Sequence, residues 1–174
     1  MAPGLLSRFF ERVTRSAFGD LALDDPRAAG YLTDLLTRYA RAEALRAIDT
    51  LPGRPLATVA DALLEVQRVW DWSDPRFAPE QERTVRRHIG DYTLFMLGLF
   101  REHVERVASA DYYEAEGRRA YRFLAELGRA TGEPDAPLFA RLAAGFERYA
   151  GALAYMRRVY FHETALPWRG LAAP

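Results

Sequence analysis

The chain has 174 residues, 49% hydrophobic and 28% charged, which is enough for one domain with a real core and is unlike a disordered polymer. Its 24 basic side chains, all arginine, balance 24 acidic ones, and neither half is basic, which disfavours a general electrostatic nucleic-acid binder. Cysteine is absent, which excludes disulfides, thiol catalysis and cysteine-ligated zinc or iron–sulfur sites.

The opening residues MAPGLLSRFFERVTRSAF lack a basic segment followed by an unbroken apolar one, so no secretory signal is expected. No run approaches the about 20 apolar residues of a membrane span, and the expected compartment is the cytoplasm. A first helix is expected over Leu5 to Phe18, with Leu6, Phe9, Phe10, Val13 and Ala17 on one stripe. That stripe suits a core-facing helix; contact with a membrane surface is the alternative. The Asp24-Asp25-Pro26 turn leads into a second helix from about Arg27 to Ile48. Its buried face is expected to be Leu32, Leu35, Leu36, Tyr39 and Ala42, with Asp34 and Arg38 paired one turn apart on the polar side.

After the break at Leu51 to Pro55, a third helix is expected over Leu56 to Trp70 on a seam of Val59, Leu63, Val66 and Trp70. The loop Asp71 to Pro79 would be clamped by Trp72 and Phe77. A fourth helix, from about 79 to 108, carries Tyr92 to Phe100, apolar on nearly every side, which predicts the buried centre of the bundle. The fifth begins with an expected capping box, Asp111 and Glu114, and is stopped by Gly128 or Gly132. The sixth, from about 136 to 163 with Asp135 as its cap, follows Phe139, Leu142, Phe146, Tyr149, Leu153, Met156 and Tyr160 in an unbroken three–four alternation. That seam fits the backbone of an antiparallel bundle, or else a dimer interface. A short tail follows, with Trp168 as its anchor. The predicted fold is therefore all-α: a single-domain bundle of about six helices.

The chain is organised around His88 to Leu127. Asp91 lies at the edge of the buried run, where an ionised carboxylate needs an ion pair or hydrogen bonds. Gly98 is two turns further on, and the next helix offers Gly117 and Ala120 as a matching small face. The expected arrangement is a close crossing of Gly98 against Gly117 and Ala120, with an arginine or a tyrosine hydroxyl satisfying Asp91. Candidate ligand-binding residues are His88, Asp91, Tyr92, Tyr113, Arg118 and Tyr121, a polar pocket with an aromatic wall.

Arginine forks suit a small anionic ligand. The clusters Arg83/Arg86/Arg87, Arg118/Arg119/Arg122 and Arg157/Arg158 nevertheless read first as solvated helix faces. A metal site would draw on His88, Asp91, His162 and Glu163. The Glu-x-x-His pairs of carboxylate-bridged two-iron bundles are absent, so no cofactor is expected. Neither a nucleophile elbow nor a glycine-rich phosphate loop is present.

The pattern Gly90-Asp91-x-x-Leu94-Phe95-x-x-Gly98-x-Phe100, then Asp111-Tyr112-Tyr113 and Gly117-x-x-Ala120-Tyr121, resembles an uncharacterised family of bacterial all-helical proteins over residues 88 to 125. The resemblance implies a bacterial source and transfers no activity and no residue role. The expected function is a non-enzymatic binding or interaction module acting on a protein partner or a second copy of itself. A small-ligand- or metal-binding protein or enzyme, with its pocket around Asp91, is the alternative.

Overall fold

The computed structural model describes residues 4–40 and 79–161. Among these residues every element is helical: α1 (Leu5–Asp20), α2 (Pro26–Ala40), α3 (Pro79–Leu99), α4 (Arg101–Val107), α5 (Ala110–Thr131), α6 (Ala136–Ala144) and α7 (Phe146–Tyr160). The expected helix over 56 to 70, the loop with Trp72 and Phe77, the end of the second helix and the tail from His162 lie outside the described residues.

Helix α3 is the centre of the packing, as its all-round apolar run requires. Every residue from Thr93 to Phe100 is buried, and Tyr92 is half-buried. Among the described helices it packs most extensively on α5 and then on α7. Helix α1 turns Phe10, Val13, Thr14, Ala17 and Phe18 into the core. Its apolar stripe is thus used inside the bundle, where Phe10 meets Phe161 edge-on at 6.0 Å. Helix α2 buries Tyr31, Leu32, Leu35, Leu36, Tyr39 and Ala40, and Tyr39 stacks on Phe95 of α3 at 4.5 Å. Among the described residues no helix is long and apolar enough to cross a membrane.

Two helices expected to be continuous are each broken once. The 79–108 helix ends at Leu99, because Phe100 adopts φ −133° and ψ 36° before α4 begins. The Arg157 guanidinium donates to the Leu99 carbonyl, and it lies 5.7 Å from the Phe100 ring. A helix end leaves carbonyls without intrahelical partners, and a side chain from α7 takes one of them. The 136–163 helix is broken at Gly145, with Arg118 donating to the Ala143 and Ala144 carbonyls at 3.4 Å each. Its seam survives the bend: Phe139, Leu142, Phe146, Tyr149, Leu153 and Met156 are all buried within the chain.

The cap of α5 is also not the expected one. Ser109, not Asp111, is the N-cap, and its hydroxyl accepts from the Tyr112 amide at 3.3 Å. Asp111 falls in the first turn, where its charge suits the helix dipole. Gly132, at φ 75°, ends the helix in the left-handed conformation. Asp135 occupies the N-cap position of α6 but makes no side-chain capping bond.

The small residues meet large ones rather than each other. A Cβ on Gly90 would stand 2.7 Å from the Tyr121 ring. The open face of Gly117 is filled by Thr93 and Phe146, and that of Gly98 by Leu153 of α7. The α3–α5 crossing is therefore real, but Gly98 takes no part in it.

Candidate functional site

Asp91 is 1% exposed and lies where α2, α3 and α5 meet. One carboxylate oxygen, Oδ1, accepts from the Tyr31 hydroxyl at 2.5 Å and from the Tyr121 hydroxyl at 2.8 Å. The other, Oδ2, accepts from the Arg38 guanidinium at 2.8 Å. The Arg87 Nε stands 3.8 Å from Oδ2, one turn before Asp91 on the same helix. The same guanidinium lies 5.5 Å from the centre of the Tyr31 ring. Charge-assisted bonds of this kind offset the cost of placing a carboxylate in a core.

The elements position these groups through ordinary periodicity. Tyr31 and Arg38 are seven residues apart on α2, two turns along one side. Arg87 and Asp91 are four apart on α3. Gly90 lets the Tyr121 ring lie against α3, so that its hydroxyl reaches Asp91. Arg38 is thus committed to Asp91 and not to Asp34, the local pairing expected from spacing.

The tyrosines are held as neutral phenols. Burial raises the Tyr121 pKa well above the usual phenol value, and the Asp91 charge raises it further. Tyr31 is shifted upward for the same two reasons, burial first. Burial also keeps Tyr39 neutral, again helped by Asp91. A phenol held in its protonated form is a fixed donor, so the hydroxyls hold Asp91 rather than exchange protons with it.

His88 is half-buried, with its ring 5.8 Å from that of Tyr92. Burial lowers its pKa below 6.5; the Asp91 charge opposes this and Arg38 adds to it. Tyr92 continues to Tyr113, ring to ring at 6.3 Å. Burial, with Tyr113 beside it, pushes the Tyr92 hydroxyl up to about 12. His88, Tyr92 and Tyr113 therefore form an aromatic row next to the Asp91 cluster.

Arg118 is engaged elsewhere. It pairs with Glu114 at 2.7 Å and donates to the carbonyls at the end of α6. His162 and Glu163 lie outside the described residues. Among the described residues no group of three or more His, Cys, Asp or Glu side chains is placed to hold a metal ion.

The structure thus brings Asp91 and Tyr121 into direct contact and sets His88, Tyr92 and Tyr113 alongside. Tyr31, Arg38 and Arg87 complete the cluster. Arg87 appeared in the sequence only within a charged run. Tyr31 and Arg38 were not candidates, although a tyrosine on a leucine-rich face is a signal for a buried hydroxyl in need of a partner.

A second aspartate makes a similar junction. Asp25 caps α2 by accepting from the Ala28 amide at 3.0 Å, and its other oxygen takes Arg141 at 3.0 Å and the Tyr149 hydroxyl at 2.8 Å. Burial works to raise its pKa, but the Ala28 amide, Tyr149 and Arg141 together hold it below 3.8.

No family model matches the chain, and no curated protein and no solved structure matches it significantly.

Proposed function

We propose that the protein is a non-enzymatic binding or protein-interaction module built on a helical bundle. The observation that carries this reading is the burial of Asp91 among partners from its own bundle. Two hydroxyls and a guanidinium occupy its oxygens, and a second guanidinium stands beside them. A carboxylate so engaged and only 1% exposed does not reach out to a substrate, and a general base must reach the proton it abstracts. The cluster joins three helices, which suits a rigid scaffold presenting an outer surface.

One observation favours the second reading, a small-ligand site. The Arg38 and Arg87 side chains are 42% and 48% exposed, so each guanidinium is open to solvent at the edge of the Asp91 cluster. Such groups suit a small anion.

Native mass spectrometry and elemental analysis of protein isolated from its own host separate the two. The interaction module is expected to emerge without stoichiometric small molecule or metal, and to retain a polypeptide or a second copy under gentle conditions. A stoichiometric anion that is lost in an Arg38→Gln, Arg87→Gln variant that still folds would replace the first reading with the second.

A further inference from the structure

Helices α1 and α2 do not close on each other along their whole length. Between them and their connecting turn lies a cleft of about 380 Å³, within the size range of small-molecule sites. Its α1 wall is Glu11, Thr14, Arg15, Phe18 and Gly19, one helical stripe. Its α2 wall is Pro26, Ala29, Gly30 and Thr33, a second stripe made only of small residues. Two facing stripes at this spacing would ordinarily interdigitate large side chains. Here the second has none to offer, and the gap stays open.

Two glycines keep the cleft bare. Among the described residues nothing lies within 4 Å of where a Cβ would stand on Gly19 or Gly30. Gly90, Gly98 and Gly117 are each filled by a neighbouring side chain; these two are not. A glycine at each of these positions leaves the cleft wall without a side chain.

The turn between the helices holds Ala22 at φ 52°, left-handed backbone that costs an alanine strain. The turn is closed by the Leu23 amide donating to the Phe18 carbonyl at 2.8 Å, and Leu23 and Asp24 both line the cleft.

The charge of the lining is one-sided. Glu11, Asp24 and Asp25 face one cation, Arg15, which is already bonded to Glu11 at 2.6 Å. Asp25 is engaged by Arg141 and Tyr149. Asp24 is exposed and, among the described residues, has neither a hydrogen bond nor an ion pair. The apolar part of the lining is Phe18, Leu23 and Ala29.

We propose that the cleft between α1 and α2 binds a small amphiphilic amine, with its apolar body over Phe18 and against the bare wall at Gly19 and Gly30 and its ammonium at Asp24. This site is separate from the Asp91 cluster and does not depend on the function assigned above.

The test uses the full chain, with 2-phenylethylammonium as the probe and 3-phenylpropionate as its anionic counterpart. Binding is followed by calorimetry and by amide chemical-shift mapping. The amine is expected to bind saturably, to shift the amides of Gly19, Asp24 and Gly30, and to bind more tightly than the carboxylate. Asp24→Asn should weaken the amine up to about fivefold, the worth of one exposed ion pair. Gly30→Leu should fill the cleft and abolish binding while raising thermal stability, because its side chain replaces a helix glycine in open space. The proposal is overturned by no saturable binding at millimolar amine, by equal binding of the carboxylate, or by shifts that map away from the cleft. Shift mapping on the unaltered chain decides the matter even where Gly30→Leu does not fold.

Discussion

Replacing Asp91 by asparagine keeps the shape of the side chain and removes its charge. The amide oxygen can still accept from Tyr31 and Tyr121, but both bonds fall from charge-assisted to neutral. Each loses about 1 kcal/mol by that change. The amide nitrogen takes the place of Oδ2 and presents hydrogens to the Arg38 guanidinium, formerly 2.8 Å away and donating. Two donors face each other there. Because the Arg38 side chain is 42% exposed, its guanidinium can turn to water. The loss on that side is therefore discounted to about 1 kcal/mol rather than the larger cost of breaking a fully buried pair. The total is about 3 kcal/mol. In urea unfolding followed by far-ultraviolet circular dichroism, the midpoint should fall with the slope unchanged, and the thermal midpoint should drop by about 6–12 °C. A double-mutant cycle with Tyr121→Phe should show coupling, since both changes act on one bond. A loss under about 0.5 kcal/mol, the range of an ordinary surface substitution, would refute the reasoning, because a carboxylate holding three helices cannot be that cheap to neutralise.

Ala22→Gly should stabilise the protein by about 0.5–1 kcal/mol, because glycine enters the left-handed region without strain but loses more chain entropy on folding; chemical denaturation measures this, and a loss would refute it. The same substitution should have opposite signs at two helical glycines. Gly90→Ala places a methyl group 2.7 Å from the buried Tyr121 ring and should cost about 1–2 kcal/mol. Gly151→Ala meets nothing within 4 Å and should gain about 0.5–1 kcal/mol of helix propensity. Equal effects in paired denaturation curves would mean that the α3–α5 register is wrong. His88 has a folded-state pKa below its ordinary 6.5, so the unfolded chain binds the proton more readily. Its share of the stability is intact above that value and is lost as the pH falls below it. A stability–pH curve for His88→Gln should therefore decline less on the acid side of pH 6.5 than the curve for the unaltered chain. Curves that stay parallel through that region would sink the assignment.

The central helix was legible because Tyr92 to Phe100 has no polar side, and a helix without one has nowhere to lie but inside. That Asp91 would need partners was legible for the same reason. Their identity was not. Tyr31 and Arg38 stand 60 and 53 residues away, and nothing local marks them. Asp34, one turn from Arg38, offered a nearer pairing that a buried carboxylate outcompetes. The two helix breaks were hidden too, since periodicity records which face is apolar, not where carbonyls change partner. Arg157 and Arg118 claim those carbonyls from other helices. The expected meeting of Gly98 with Gly117 and Ala120 failed because glycine supplies room without choosing its occupant. Leu153 fills that room at Gly98, and Phe146 and Thr93 fill it at Gly117, as interdigitated cores do.

One device recurs across the bundle. Asp91 takes the hydroxyls of Tyr31 and Tyr121, Asp25 takes that of Tyr149, and Asp20 takes those of Tyr155 and Tyr160 at 3.1 Å and 2.5 Å. These nodes tie α2 to α3 and α5, the start of α2 to α7, and the end of α1 to α7. A tyrosine suits this task better than a lysine would. Its ring packs against the core along its length, few rotamers are lost, and only one member of the pair is charged. An ion pair would need two charges desolvated for the same contact. Heptad seams alone leave antiparallel helices free to slip or exchange neighbours, because one leucine packs much like another. At Asp91, 1% exposed, a slipped register would strand a buried carboxylate without its hydroxyls, so this node disfavours slipped arrangements. Asp20 is exposed, and water can replace its two tyrosines, so its node adds little to that choice. The apolar faces supply most of the energy that holds the helices together, and the buried aspartate weighs against their near alternatives.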